Sequence, residues 1–459
     1  MSTSSASSSL TTRVAALAWP ILIGQLAVIS NGVIDTMMTA RHSAIDLAAL
    51  GLGASVYVSI FVGLSGVMQA LSPIIAQLYG AKKFEAIGEE VRQGIWLALL
   101  LTLIGAIALC FPEPLLDIAQ ASTELNDKVL LYLQLLALAL PATLGFRVYA
   151  SLNTAISRPR MVMLLQVSGL LLKIPLNALF IFGGLGLPAF GAPGCAMATV
   201  ISAWLALLGG WLILRHQSFY AQFSLFGKGL GKPDVRAIKA LLKLGLPMGL
   251  SFLIEVTAFT FMALFIARLG SNTLAGHQIT ANFGTVLYML PLSIANATCT
   301  LVAQEIGSGR LADARRTGNA GVRLGVLLSV STGIVVWLSR EQIIGLYTPD
   351  VSVAAAAMPL FFFIAFYQAF DSLQVGTAYV LRAYKVAFIP TLMYAVALWG
   401  VGLGGGYLIG FDVLGMSPPW LKGAAGFWLG NSLSLALVGI ALVWYLKRVQ
   451  RLLTRESQQ

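Results

Sequence analysis

Five ionisable side chains stand inside long apolar runs of this 459-residue chain, in which only 10% of residues are charged. They are Asp35, Arg147, Lys173, Glu255 and Asp371. A charge at the centre of a bilayer costs about 2.5–3.5 kcal/mol on insertion scales, so each should face protein or a water-filled cavity and have a partner. Carboxylates in such places can bind a small cation or exchange a proton, which is the chemistry of an ion pathway.

Asp35 stands near the end of the apolar stretch 17–40, and Pro20 stands near its start. We expect Asp35 to take up and release a proton; the alternative is that it only caps the outer end of its helix. Pro20 removes one helix hydrogen bond and permits a bend. It is therefore either a gate that responds to the state of Asp35 or an ordinary structural proline.

Two carboxylates and a tyrosine form a second candidate group. Glu255 lies in the segment SFLIEVTAF, and Asp371 lies in FYQAFDSLQ. Tyr367 precedes Asp371 by four residues, which places the two side chains on one helix face. Together these groups can hold Na⁺ or share a proton. The alternative is a buried polar network that only orients helices.

Lys173 and Asn177 are also four residues apart. Lys173 could pair with Asp35 or with another carboxylate, unless its long side chain extends to the membrane interface. At an offset of 224 positions, Phe146-Arg147 falls on Phe370-Asp371, so Arg147 matches Asp371 in an internal repeat. We expect Arg147 to be a structural ion-pair or hydrogen-bond centre.

The composition indicates how these groups are positioned. Hydrophobic residues make up 58% of the chain, and charged residues make up only 10%. In a soluble protein about 25% of the residues are charged. Apolar runs of about 18–25 residues recur throughout, which predicts an all-α integral membrane protein. Twelve spans are predicted, at 14–39, 47–78, 94–111, 128–151, 160–183, 195–215, 238–268, 278–304, 319–338, 353–381, 387–410 and 424–446.

Lysine and arginine are concentrated in alternate loops and at the chain ends. The opposite loops contain only Arg41, Lys128, Arg268, Arg340 and Lys422. Because cytoplasmic loops carry the excess of basic residues, both termini are expected in the cytoplasm. The net charge of +11 is then explained by topology and by attraction to anionic lipid, and no nucleic-acid partner is expected.

The two halves of the sequence resemble each other. At an offset of 227 positions, Trp19-Pro20 falls on Leu246-Pro247, and Ala76-Gln77-x-x-Gly80 falls on Ala303-Gln304-x-x-Gly307. We therefore predict an N-terminal six-helix bundle at 1–215, a cytoplasmic linker at 216–237 and a C-terminal six-helix bundle at 238–459. Parallel repeats of this kind are related by an axis along the membrane normal and are common in transporters.

Several function classes lack support in the sequence. No GxxxxGK[ST] motif is present, which argues against ATP-driven transport by this chain alone. No metal-ligand cluster or nucleophile–base arrangement suggests an enzyme, and no cofactor is expected. A membrane scaffold would not need five charges inside its spans. A flippase for a lipid-linked or amphipathic metabolite remains an alternative to a drug antiporter.

The motifs resemble those of the multidrug and toxic compound extrusion (MATE) transporters, in the NorM-like branch. In the first half they are Trp19-Pro20 and Val33-Ile34-Asp35-Thr36-Met37-Met38. The matching stretches of the second half are Leu244-Gly245-Leu246-Pro247, Ile254-Glu255-Val256-Thr257, Gly276-His277-Gln278, Tyr367-Gln368 through Asp371, and Leu381-Arg382-Ala383-Tyr384-Lys385. The resemblance runs from about residue 12 to residue 446.

The resemblance implies two six-helix bundles arranged as a V in the bacterial cytoplasmic membrane, and a monomer. It implies export of cationic lipophilic drugs or dyes in exchange for Na⁺ or H⁺. Tyr367, Glu255 and Asp371 resemble the family's cation site, and Asp35 resembles its N-lobe coupling carboxylate. Asn177 and Thr199 resemble polar positions near that carboxylate. Lys173 departs from the family pattern, which has asparagine there, and puts Na⁺ binding in the N lobe in doubt.

Overall fold

The computed structural model describes residues 9–112, 122–226 and 229–456. Its regular elements in these ranges are helices, apart from one isolated β-bridge between Gly184 and Leu187. A π-helix covers Ala395–Gly405, and 3₁₀ helices cover Ser218–Phe223 and Pro419–Leu421. The α-helices are α1 (Leu10–His42), α2 (Ala44–Met68), α3 (Leu71–Gly80), α4 (Phe84–Cys110), α5 (Thr123–Ala155), α6 (Pro159–Phe182), α7 (Ala192–His216), α8 (Val235–Ala267), α9 (Ser271–Gly307), α10 (Leu311–Leu338), α11 (Arg340–Tyr347), α12 (Val351–Ala383), α13 (Phe388–Tyr394), α14 (Gly406–Gly410) and α15 (Ala424–Glu456).

In the described ranges, twelve segments are long and apolar enough to cross a membrane, each being one helix or a run of consecutive helices. The predicted number of spans is confirmed, and their ends differ by several residues. The predicted span 47–78 is divided between α2 and α3 at Gln69 and Ala70. Pro73 explains the division, because it has no N–H group to donate to the carbonyl of Gln69 one helical turn earlier.

The described chain forms two compact units. We call Ile23–Gly249 the N unit, and Met1–Leu22 together with Leu250–Gln459 the C unit. The boundaries fall two residues after Pro20 in α1 and two residues after Pro247 in α8. The units therefore divide the chain inside two helices, at positions that match in the repeat. The predicted bundles 1–215 and 238–459 are instead defined by the order of the two sequence repeats along the chain, and they stay a prediction.

The start of α1 packs inside the C unit. Val14 and Ala18 belong to a buried apolar cluster with Ile294, Ala297 and Leu301 of α9. At the same end of α1, Arg13 Nη1 lies 3.3 Å from Oε1 of Glu305, whose side chain is 2% exposed. Apolar packing and one ion pair thus hold this segment of α1 against α9.

The start of α8 packs inside the N unit in a corresponding way. A Cβ atom added to Gly245 would lie 2.5 Å from the carbonyl oxygen of Val67, and one added to Gly249 would lie 2.7 Å from that of Gly63. Real Cβ atoms do not approach a backbone oxygen so closely. Glycine at these two positions therefore permits close contact between α8 and α2.

The predicted linker 216–237 is structured over its first part. Tyr220 and Phe223, in the 3₁₀ helix, are buried, and Tyr220 donates a 2.6 Å hydrogen bond to Asn153 Oδ1. Burial raises the pKa of Tyr220, so its hydroxyl stays protonated. Residues 227 and 228 of the predicted linker lie outside the described residues.

Candidate functional site

The N unit contains a buried ion pair at Asp35. Lys173 Nζ lies 2.6 Å from Asp35 Oδ2, and Asn177 Nδ2 donates a 2.8 Å hydrogen bond to Asp35 Oδ1. Asp35, Lys173 and Asn177 are 9%, 5% and 0% exposed. The four-residue spacing of Lys173 and Asn177 places both on the face of α6 that meets α1. The carboxylate is therefore neutralised by a lysine of its own chain.

The Asp35 group has further neighbours on α5 and α7. Cys195 hydrogen-bonds and interacts electrostatically with Asp35, and Tyr132 interacts electrostatically with it. Neither residue was identified from the sequence. Thr199, predicted to belong to this polar group, donates a 3.0 Å hydrogen bond to the carbonyl of Cys195 in its own helix. Thr199 is thus placed one turn from a neighbour of Asp35.

Arg147 and Pro20 occupy other positions. The Arg147 guanidinium lies 5.7 Å from the Phe61 ring centroid and interacts electrostatically with Tyr57. The structure thus gives Arg147 aromatic neighbours in the N unit. Pro20 lies inside α1, which continues from Leu10 to His42.

A second buried aspartate in the N unit was not identified as a site from the sequence. Asp46 is 0% exposed and lies 2.7 Å from Lys128 Nζ, 2.7 Å from His42 Nδ1 and 2.5 Å from Ser43 Oγ. The N–H of Ala192 also donates to it at 3.1 Å. These contacts join the ends of α1, α2, α5 and α7. Because four donors satisfy this carboxylate, Asp46 is suited to holding these helix ends together.

The C unit contains a different arrangement around Asp371. Asp371 is 1% exposed and accepts a 3.0 Å hydrogen bond from Gln374 Nε2. Tyr394 donates in turn to Gln374 Oε1. Glu255 of α8 is partly buried and interacts electrostatically with Asp371 and with Arg382. The structure thus brings the two predicted carboxylates of this unit into one group.

Tyrosines complete this group. Tyr367, which is 7% exposed, interacts electrostatically with Asp371 and Glu255. Tyr288 also interacts with both carboxylates, and its hydroxyl is buried without a hydrogen-bond partner among the described residues. Phenol oxygens beside two carboxylates are suitable ligands for a hard cation, which prefers oxygen.

Aromatic packing fixes the Tyr367 ring. Its centroid lies 5.6 Å from that of Trp428 and 6.1 Å from that of Phe259, both in edge-on contacts. Trp428 Nε1 donates a 3.2 Å hydrogen bond to His277 Nδ1. His277 is therefore hydrogen-bonded locally, within the aromatic packing around Tyr367.

Arg382 is a buried cation of the C unit, as Lys173 is of the N unit, but its guanidinium packs against aromatic rings. It is 6% exposed, and its guanidinium lies 4.3 Å from the Tyr379 ring centroid and 5.1 Å from that of Phe252. Within the described ranges, neither Glu255 nor Asp371 has an ion pair within 4.0 Å. No group of three or more His, Cys, Asp or Glu that could hold a metal ion occurs there.

Known proteins resemble the chain over nearly its whole length. It is 40% identical over 436 residues to the probable multidrug resistance protein NorM of Aromatoleum aromaticum, covering 95% of this chain and 93% of that protein. It is 36% identical to the multidrug resistance protein PmpM of Pseudomonas aeruginosa, covering 96% and 92%. A solved structure of a multidrug resistance MATE family transporter in an outward-facing conformation matches with a TM-score of 0.86 and 18% identity, over 97% of each chain, and indicates the same fold.

The family profile described as MatE matches the chain twice, at residues 20–179 and 247–408. The two matches begin 227 residues apart, which agrees with the offset found between the two halves of the sequence. Together with relatives at 33–40% identity, the double match identifies the family. The chain belongs to the MatE family, the multidrug and toxic compound extrusion transporters.

Proposed function

We propose that this protein is a secondary active multidrug efflux transporter that exports cationic lipophilic compounds in exchange for inward Na⁺ or H⁺. The relatives named as multidrug resistance proteins support the efflux of drugs. Buried carboxylates in both units support coupling to a cation. The absence of a nucleotide-binding motif from the sequence favours an ion gradient as the energy source over ATP.

One observation carries the coupling proposal. Glu255 and Asp371 interact electrostatically with each other, and neither has an ion pair in the described part of the chain. Two like charges in a poorly solvated site are unfavourable unless a proton or cation joins them. Entry of Na⁺ between Glu255, Asp371 and Tyr367, or of a proton onto one carboxylate, would remove that repulsion. Binding would then favour a conformation different from the one favoured by the empty site.

The N unit takes a different part in this scheme. Na⁺ arriving at Asp35 must compete with the Lys173 ammonium, which is already 2.6 Å away and is covalently tethered. We therefore place Na⁺, if it is the coupling ion, at the Glu255–Asp371 group. A proton or a cationic substrate would act at Asp35 by breaking its pair with Lys173. Asn177 would keep the carboxylate oriented while the pair is open.

The proposed setting is the bacterial cytoplasmic membrane, with the protein as a monomer and both termini in the cytoplasm. The unequal distribution of lysine and arginine between alternate loops supports this orientation. The substrates are cationic drugs or dyes, and the lipid bilayer is the other constant partner. Cationic substrates suit a pathway bordered by carboxylates, because they gain from its negative potential.

Reconstitution into lipid vesicles tests the proposal. Export of a fluorescent cationic dye is measured under an imposed Na⁺ gradient alone, an imposed pH gradient alone, and neither, in the absence of ATP. We expect export with at least one gradient and its loss when an ionophore removes that gradient. Dye movement that needs ATP, or that ignores both gradients, would contradict antiport.

Variants locate the coupling site in the same assay. Glu255→Gln and Asp371→Asn should each abolish gradient-driven export while inserting into the membrane normally. Glu341→Gln is the matched control, because it makes the same chemical change at an exposed position of α11. Export by both site variants at the level of the control would remove Glu255 and Asp371 from the coupling mechanism.

A further inference from the structure

A basic cavity lies at one end of the C unit, away from the carboxylate groups. Its volume is about 790 Å³, and its lining includes Arg310, Arg315, Arg316, Tyr384 and Gln450. The cavity is formed where α9 gives way to α10 and where α12 and α15 end. All four helices are long and apolar enough to cross a membrane, so a cavity at their ends lies toward one membrane surface.

The lining of the cavity is positively charged. Three arginines and one aspartate, Asp313, give it a formal charge of +2. The aspartate does not bind either neighbouring arginine closely, since its oxygens lie 3.9 Å from Arg310 and 4.0 Å from Arg316. The side chains of Arg310 and Arg316 are 58% and 76% exposed. They can therefore turn toward a ligand without breaking a short ion pair.

Neutral donors adjoin these arginines. Tyr384 hydrogen-bonds Gln450, which is 5% exposed, and interacts electrostatically with Arg315. Burial raises the pKa of Tyr384, so its hydroxyl keeps its proton. The first turn of α10 also borders the cavity, and its backbone N–H groups have no partners within the helix. Guanidinium, phenol and helix-terminal N–H groups together are the donors that phosphate oxygens prefer.

A neighbouring surface favours a lipid over a soluble phosphate compound as the ligand of this cavity. The next face of α15 borders a smaller cavity of about 360 Å³ lined by Trp444, Lys447, Arg448, Arg451 and Leu452. Trp444 is 60% exposed, and the Arg448 guanidinium lies 5.9 Å from its ring centroid. Exposed tryptophan beside basic residues is typical of the headgroup level of a membrane. A soluble anion would make no use of the exposed apolar groups.

We propose that the cavity bordered by Arg310, Arg315 and Arg316 binds the headgroup of an anionic phospholipid. The phosphate lies among the guanidinium groups and the first turn of α10, and the acyl chains lie along the apolar surface of the bundle. Basic pockets between membrane helices bind anionic headgroups in this way. The site is separate from the coupling carboxylates, so it binds lipid whether or not the transport proposal holds.

Binding to the purified full-length protein tests this proposal. Fluorescent phosphatidylglycerol and phosphatidylcholine with identical acyl chains are titrated into protein in neutral detergent. The variant Arg315→Gln/Arg316→Gln is compared with Arg268→Gln/Arg340→Gln, which removes the same charge from the opposite ends of the spans. Each basic residue near a membrane surface contributes about fivefold in affinity for anionic lipid, so we expect phosphatidylglycerol to bind about 30-fold more weakly to the site variant and unchanged to the control.

Three results would overturn the proposal. They are equal binding of the two lipids by the native protein, equal loss in both variants, and displacement of the lipid by soluble glycerol 3-phosphate at comparable concentration. The last result would assign the cavity to a free phosphate compound. If the glutamine variant does not fold, Arg315→Lys/Arg316→Lys replaces it. That variant keeps the charge and loses the paired N–H groups, so partial retention of phosphatidylglycerol is expected.

Discussion

The carboxylate groups of the two units differ in what balances their charge. Asp35 has the Lys173 ammonium 2.6 Å away and is neutral as a pair before any ligand arrives. Glu255 interacts electrostatically with Asp371 and with Arg382, and Tyr367 interacts with both carboxylates. In the proposed mechanism, the first group responds by opening an existing ion pair, whereas the second responds by acquiring a proton or cation.

This difference shows that duplication preserved the helices more closely than their chemistry. Phe146-Arg147 in the first half aligns with Phe370-Asp371 in the second, so the charge at this position is reversed. Arg147 lies near Phe61 and Tyr57, whereas Asp371 lies beside Glu255. Two similar bundles therefore need not bind the same ion.

The largest effect is expected for Lys173→Met. This change leaves the Asp35 carboxylate buried without its counter-charge, which should lower the free energy of unfolding by about 3–5 kcal/mol. Unfolding of the detergent-solubilised protein by heat or denaturant measures the change. Adding Asp35→Asn to the variant should restore most of the loss. A double variant as unstable as the single one would mean that the lysine acts through packing alone.

Lys128→Met removes the lysine that contacts Asp46, the other buried aspartate of the N unit. It should lower the free energy of unfolding by less than Lys173→Met does. Asp46 keeps its contacts with His42, Ser43 and the N–H of Ala192, so the loss should be about 1.5–3 kcal/mol. The same unfolding measurement applies. Ion dependence of export should not change, since Asp46 serves structure. A loss equal to that of Lys173→Met would show that the additional donors give no compensation.

Tyr367→Phe tests the proposed cation site of the C unit while keeping the ring contacts with Trp428 and Phe259. Loss of one ligand oxygen should raise the Na⁺ concentration for half-maximal export about tenfold, equivalent to about 1.4 kcal/mol. Tyr445→Phe makes the same change away from the site and serves as control. Identical Na⁺ dependence in the two variants would mean that the Tyr367 hydroxyl is not a ligand.

Asp371→Asn should have the smallest effect on stability and the opposite sign. In Na⁺-free buffer at pH 9.5, removing one of two repelling charges should raise the free energy of unfolding by on the order of 1 kcal/mol. Asp35→Asn under the same conditions should lower it, because Lys173 then loses its partner. Destabilisation by both changes would contradict the contrast between the units.

Hydropathy was sufficient to predict the number of spans. Rare charges within them indicated Asp35, Lys173, Glu255 and Asp371 as candidates, which the structure brings together in two groups. Gln374 could also have been selected, because it follows Asp371 by three residues on the same helix face. Tyr394 could not, since nothing in the sequence relates it to Gln374 before α12 and α13 pack together.

Asp46 was missed because it follows the apolar run of α1 closely and resembles a loop residue. A local indication existed, since Ser43 and Asp46 have the spacing of a helix-capping pair, and Ser43 Oγ accepts from the Asp46 N–H at 3.1 Å. Lys128 and Ala192 lie 82 and 146 residues away in the chain. Such distant partners depend on helix packing, which a single sequence does not specify.

The buried 3₁₀ helix between the repeats determines where the polypeptide can be interrupted. Tyr220 and Phe223 are 1% and 0% exposed, so a tag or protease site placed between them would expose apolar rings and weaken the fold. Leu230 and Gly231 are exposed, and exposed loop positions tolerate insertion best. Two separately expressed fragments that meet after Leu230 should therefore reassemble into a working protein, whereas fragments that meet at Ala221 should not.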